Sequence, residues 1–456
     1  MAEHADVVVI GMGPGGEEVA GRLAEAGLDV IGIEKQLVGG ECPYWGCIPS
    51  KMMIRAANLL AETRRVPGMA GASAVTSDWA PVARRIRDEA TDNWDDRVAV
   101  ERFVGKGGRF MRGEGRLGGP GRVEVGDTTI EVARAIVLAT GTQAAIPPIP
   151  GLASVPYWTN REAIEVTELP ESLIVIGGGA IGVELSQVFN RFGVAVTIVE
   201  ALDRLLPPEE PEAGHLIAEV LRNEGATIFT GAQVSAVSYD GSRFTVGLGD
   251  GAELQAHRLL IATGRRADLS RLGLDTIGLD QTGPWVPVDE RLSVVPGVWA
   301  VGDLTGVGAF THVAMYQAGI AVSDILGENP LPADYRALPR VTFTDPEVGS
   351  VGLSEAAALE RGMRIRVAMS EIPSSARGWI HKAGNDGFIK LVEDAEQGIL
   401  IGATSVGPNG GEVLGLLVLA VHARIPTSEM RRMIYAYPTF HRAIEDALRN
   451  LVEVPA

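Results

Sequence analysis

A chain of 456 residues is too long for one ordinary hydrophobic core and calls for two or three domains. With 46% hydrophobic and 21% charged residues it reads as globular, and a formal charge of −18 argues against nucleic acid and anionic membranes as partners. The opening MAEHADVVVIG lacks the basic start of a secretion signal, and the longest apolar run, Val413–Val421, is far short of the roughly 20 residues that span a bilayer, so a cytoplasmic protein without membrane insertion is expected.

The first predicted element is an apolar β-branched run, Val7–Ile10, of the kind buried in a parallel sheet. Gly11, Gly13 and Gly16 follow in G-x-G-x-x-G spacing, then a helical stretch with Val19, Leu23 and Ala26 on one face, then a second apolar run ending at Glu34. Gly11 permits a tight turn, Gly13 lets a pyrophosphate approach the backbone, and Gly16 lets helix and strand pack closely. Glu34 is spaced to accept hydrogen bonds from an adenosine ribose. Next comes GGECPYWGCIPSK, from Gly39 to Lys51, which holds Cys42 and Cys47, the only cysteines of the chain. Two thiols make neither a disulfide framework nor a four-ligand zinc site, so no metal site is expected. A redox pair or two spectator thiols remain.

After Pro147, Pro148 and Pro150 the phosphate-binding pattern repeats in LIVIGGGAIGVELSQVFNRFGVAVTIVE, with Gly177, Gly179 and Gly182 in the glycine positions and Glu200 as the acid. First glycine and acid are 23 residues apart in both copies. Two such units imply two dinucleotides, or a chain folded as two similar domains. A carboxylate at Glu200 suits a free 2′-hydroxyl and repels a 2′-phosphate, which favours NADH over NADPH, although Arg204 lies close by.

With both fingerprints and the thiol stretch in view, the chain resembles the flavin-dependent pyridine nucleotide–disulfide oxidoreductases, which include lipoamide dehydrogenase, glutathione reductase and mercuric reductase. The resemblance covers nearly the whole chain. It implies an α/β fold of two Rossmann-like dinucleotide-binding domains plus a C-terminal α+β dimerisation domain. The domains expected are FAD-binding over 1–150 and 266–333, NAD(P)-binding over 151–265, and dimerisation over 334–456. It also implies a homodimer, FAD and NADH as cofactors, and a small-molecule electron acceptor. Cys42 is implied to be the interchange thiol, Cys47 the thiol that forms a charge-transfer complex with the flavin, and Lys51 the lysine near the flavin, paired with Glu184. Thr140, Gly141 and Thr142 resemble the turn that closes the FAD domain, and Asp303 the bond to the ribityl chain. Backbone from Thr311 to Ala314 is implied to lie near the isoalloxazine. Val234 matches a position that touches adenine, Gly264 one near the nicotinamide dinucleotide, and Val341–Glu355 the first strand of the dimerisation domain. A thiol at a helix start beside a cation stays nucleophilic at neutral pH, as a catalytic dithiol requires.

Two departures bear on the acceptor. Between the cysteines stand Pro43, Tyr44, Trp45 and Gly46, where lipoamide dehydrogenases usually carry a small aliphatic residue and an Asn. These aromatics either pack or shape a flat site for a ring-like acceptor. Near the C-terminus the family's disulfide reducers carry a His before Pro-Thr and a Glu that orients it. In AYPTFHRAIEDAL, Tyr437 takes the His position and Arg442 that of the Glu. A phenol titrates near 10, too high for a ready base at pH 7. His441 and Glu445, four residues apart, are either a shifted dyad or an exposed helix pair. Mercuric reductases also use tyrosine there, but with extra cysteines this chain lacks. The expected activity is therefore NADH-dependent reduction of a quinone or metal ion. Alternatives are an ordinary dihydrolipoamide dehydrogenase and, from another class, a low-turnover flavoprotein redox sensor.

Overall fold

The structure is a computed structural model that describes residues 3–454. The chain forms two compact units, each built from three stretches. The first comprises the chain up to Ser50 with Ala83–Ala145 and Gly264–Ala333; the second comprises Lys51–Val82, Ile146–Thr263 and the chain from Asp334 onward.

The first unit centres on a sheet in the order Ser293–Val295, Val298–Ala300, Thr128–Leu138, Glu3–Ile10, Val30–Glu34, Arg109–Arg112. Its central pairs are parallel, with Val7 opposite both Val30 and Ala135. Val7, Val8 and Val9 are wholly buried because both faces of this strand are covered, which is why it reads as a continuous apolar run. Side-chain alternation splits the core in two. Val7 and Val9 pack with Val19 and Leu23 of the helix Pro14–Glu25 and with Ala318 and Val322 of the helix Thr311–Leu326. Val8 and Ile10 pack on the other side with Leu117, Val123 and Leu274.

The second unit holds a parallel sheet in the order Thr227–Phe229, Ala195–Val199, Ser172–Ile176, Arg258–Ile261. Beside it lies an antiparallel sheet of Val234–Tyr239, Phe244–Leu248 and Glu253–Ala256. The residues from Pro339 onward form a six-stranded antiparallel sheet. The helices Gly410–His422 and Ala443–Arg449 cover it, with Leu414, Leu417, Ile444 and Leu448 against Ile389, Leu391 and Leu400. The stretch Val341–Glu355, expected as one strand, belongs instead to a hairpin of Pro339–Thr342 and Glu347–Gly352. The break falls at Asp345-Pro346, where proline has no N–H for a ladder. Among the described residues no helix is long and apolar enough to cross a membrane.

Candidate active site

The thiol stretch folds as a short helical turn, Glu41–Tyr44, followed by the helix Cys47–Arg65. Cys42 is half-buried, Cys47 is exposed, and both are free thiols. Cys42 is pushed well above the ordinary thiol range, first by its hydrogen bond to Cys47 and then by burial, so Cys42 holds its proton. The Thr311 hydroxyl oxygen lies 3.6 Å from the Cys47 sulfur. Thr311 opens the helix Thr311–Leu326, so its side chain, and not only the expected backbone, reaches the dithiol.

In the first unit the glycine turn fits a dinucleotide. Gly11 has φ +94°, and a Cβ on Gly16 would stand 1.9 Å from the Gly11 carbonyl oxygen, whereas one on Gly13 would meet nothing within 4 Å. That open backbone is the space a pyrophosphate needs. Glu34 is anchored by two N–H donors, from Met12 at 2.9 Å and Gln36 at 2.7 Å. Thr140 and Gly141 lead to Thr142, whose hydroxyl donates to Asp303 at 2.7 Å. Burial raises the Asp303 carboxyl above its ordinary value. Ala314, also in this unit, is buried. Sequence reasoning missed Arg265. Its guanidinium donates to the Thr142 hydroxyl at 2.8 Å and to the Thr142 carbonyl at 2.7 Å, and lies 3.9 Å from both Asp303 and Glu41. One cation thus ties the expected FAD contacts to the residue before Cys42. The only signal was its place right after the glycine of ATGRRAD. Gly264, in the same unit, has φ +106° and accepts the Ala145 N–H.

The second unit repeats the turn. A Cβ on Gly182 would stand 2.1 Å from the Gly177 carbonyl oxygen, and one on Gly179 would meet nothing within 4 Å. Glu200 is held by the N–H groups of Gly178 at 2.6 Å and Leu202 at 2.8 Å, the positions that match Met12 and Gln36 in the first copy. Arg204 is committed locally, donating to the Pro207 carbonyl at 2.8 Å and pairing with Asp203. Val234 starts its strand and pairs with Leu248. Glu184 is 5% exposed and its pairing with Lys51, 2.9 Å, is no surface ion pair. Its other oxygen accepts the Phe343 N–H at 2.7 Å, and the Lys51 ammonium stands 4.6 Å from the Phe343 ring centre. The same helix, Ala180–Arg191, presents Gln187 and Arg191 to the following residues. Gln187 exchanges hydrogen bonds with the Asp345 backbone, and Arg191, 1% exposed, pairs with Glu224 and Asp345 and donates to Asn58.

His441 and Glu445, expected as a shifted dyad or an exposed helix pair, do not share one α-helix. Pro438 does not open a helix; Phe440–Arg442 is a 3-10 turn and the helix starts at Ala443. His441 therefore sits ahead of the helix, within 3.4 Å of the Thr439 hydroxyl. Glu445 is taken by Arg442 and Arg449. Tyr437 is 70% exposed, with the Arg442 guanidinium 5.5 Å from its ring centre.

A cavity of about 570 Å³ in the first unit reaches Cys42. Tyr44, Val98, Ala99, Phe103 and Met315 line it, together with acids from Glu17 to Asp95. Asp92, which also lines it, begins a run of left-handed backbone, with φ of 47°, 55° and 57° at Asp92, Asn93 and Trp94.

Residues 5–318 match the model of the pyridine nucleotide-disulphide oxidoreductases, and residues 338–448 match the dimerisation domain of the same enzymes. The chain therefore belongs to the pyridine nucleotide–disulfide oxidoreductase family, and as a member it is an FAD-dependent enzyme that uses NAD(H). It is 33% identical to a dihydrolipoyl dehydrogenase of Chlorobaculum tepidum, over 98% of this chain and 97% of the relative. To a dihydrolipoyl dehydrogenase of Mycobacterium tuberculosis it is 35% identical, over 98% of each. Among solved structures it is similar to a Cu(II) complex of the HOCl-induced flavoprotein disulfide reductase RclA from Escherichia coli. The TM-score is 0.84 at 27% identity, over 98% of this chain and 99% of that one. LpdA from Mycobacterium tuberculosis superposes with a TM-score of 0.86 at 26% identity, over 98% and 99%. The dimerisation domain supports a homodimer.

Proposed function

We propose that this family member passes electrons from NADH to a small neutral acceptor, a quinone, in preference to a dithiol–disulfide substrate. The observation that carries this is the C-terminal segment: Tyr437 stands where a base is needed, and Glu445, tied to Arg442 and Arg449, orients no imidazole. Disulfide exchange must protonate a leaving thiolate, and the family's usual His–Glu pair for that step is replaced here by Tyr437 and Arg442. Quinone reduction balances without a leaving thiolate: NADH, one solvent proton and quinone give NAD⁺ and hydroquinone.

When bound, FAD would supply a ring able to accept a hydride from NADH and to give up electrons one or two at a time. The chain's own residues set the stage for this. The two glycine turns receive the pyrophosphates and Glu34 and Glu200 face the riboses. Glu200 and the local commitment of Arg204 favour NADH. Lys51, held by Glu184, supplies positive charge where the reduced ring becomes negative. Asp303, fixed by Thr142, bonds the ribityl chain. The division into FAD, NAD and dimerisation domains, and a cytoplasmic site of action for the free thiols, belong to the same reading.

Two other acceptors have support. The relatives named dihydrolipoyl dehydrogenase favour lipoamide, and the Cu(II) complex described for RclA favours a metal ion. Steady-state NADH oxidation by the FAD-bound protein, with lipoamide, menadione and Cu(II) compared at neutral pH, separates them. Fast menadione with negligible lipoamide is the expected result. Fast lipoamide turnover, lost on His441→Ala, would overturn the reading.

A further inference from the structure

We propose that the cavity at Cys42 is the acceptor pocket and that Tyr44 determines its specificity, the phenol donating a hydrogen bond to a carbonyl oxygen of a neutral ring. This deepens the quinone reading and rests on it.

The cavity adjoins the expected flavin bed at Thr311, while Gly11, Gly13, Glu34, Thr142 and Asp303 are absent from its lining. Its wall is largely apolar, and Val98, Ala99, Phe103 and Met315 suit a flat hydrophobic ring better than a hydrated ion. Within that wall Tyr44 is only 6% exposed. Its ring rests against Trp45, with centroids 5.8 Å apart. Its hydroxyl has no hydrogen-bond partner among the described residues, yet is not one of the sealed, unpaired buried groups. A buried phenol without a partner costs stability unless a ligand or water completes it. Burial, then the charges of Asp96 and Glu17, push Tyr44 up to about 12, so the phenol keeps its proton and acts as a donor at any physiological pH. At the mouth, Arg102 pairs with Glu17, Lys106 with Glu25, Glu18 with Arg22 and Asp95 with Arg97, so the charges there are largely balanced and the apolar wall carries the preference for a neutral ring.

The test compares wild type, Tyr44→Phe and Val98→Trp as FAD-bound proteins, with menadione and with ferricyanide, an outer-sphere acceptor that needs no carbonyl contact. In Tyr44→Phe the ratio of menadione to ferricyanide kcat/KM should fall about tenfold, mostly through KM, as for one lost hydrogen bond. An unchanged ratio overturns the assignment of Tyr44. Val98 is 54% exposed, so Val98→Trp narrows the pocket with little risk to folding and serves if Tyr44→Phe loses FAD. It should raise the menadione KM, and an unchanged KM would remove the cavity as the acceptor site. Wild-type protein that turns over ferricyanide but not menadione would instead defeat the quinone reading itself.

Discussion

The Cys47–Thr311 contact joins residues far apart in the chain, and its consequence is testable in the reduced protein. A hydroxyl beside a thiolate favours the charged form, so removing it raises the thiol's pKa. On the proposed role of Cys47 as the thiol beside the flavin, the pH at which a charge-transfer absorbance appears should rise in Thr311→Val. An unmoved midpoint would mean that the hydroxyl serves packing alone. At this scale the sequence was legible where covalent spacing fixed the chemistry. The glycines and their acids declared themselves because the turn tolerates little else, and Cys42 and Cys47 because they are the only thiols. Arg265 and the unpaired phenol of Tyr44 stayed hidden, because a side chain's partners depend on residues brought together by folding.

Among the elements, the helix Ala180–Arg191 carries the most buried polar chemistry. Residues at i, i+3 and i+7, Glu184, Gln187 and Arg191, fall on one face and grip the segment after Phe343. Sequence spacing marked Glu184 but said nothing of Arg191, since arginine near a helix C-terminus is ordinarily solvated and favourable to the dipole. Here it is buried among Glu224, Asp345 and Asn58. Replacing it by Met leaves carboxylates without their cation and should cost about 3 kcal/mol. A thermal midpoint lowered by several degrees, with Arg191→Lys falling between, is expected; an unshifted midpoint would show that Arg65, which also pairs with Asp345 at 2.7 Å, satisfies that carboxylate alone. The misread hairpin at Pro339–Gly352 has a plainer cause. An apolar β-rich run gives no sign of reversal except a proline, and a proline also suits an edge strand.

For the whole molecule, some of the most exposed large apolar side chains lie near the C-terminus. Ile434 is 96% exposed and Trp379 76%, within the dimerisation match. Such exposure has no place on a solitary chain of this size, and a second copy is its natural cover. Ile434→Asp should shift the mass measured by light scattering from two chains toward one; an unchanged dimer would place the contact elsewhere. The three-stretch construction of the first unit also sets an order of events at the ribosome. The helix Pro14–Glu25 is made long before its cover, Thr311–Leu326, and before the strand Val298–Ala300. At ordinary elongation rates the nascent sheet waits on the order of tens of seconds with Val19 and Leu23 uncovered. A translating polysome therefore carries this apolar face in need of a chaperone, and flavin loading is a post-synthetic event.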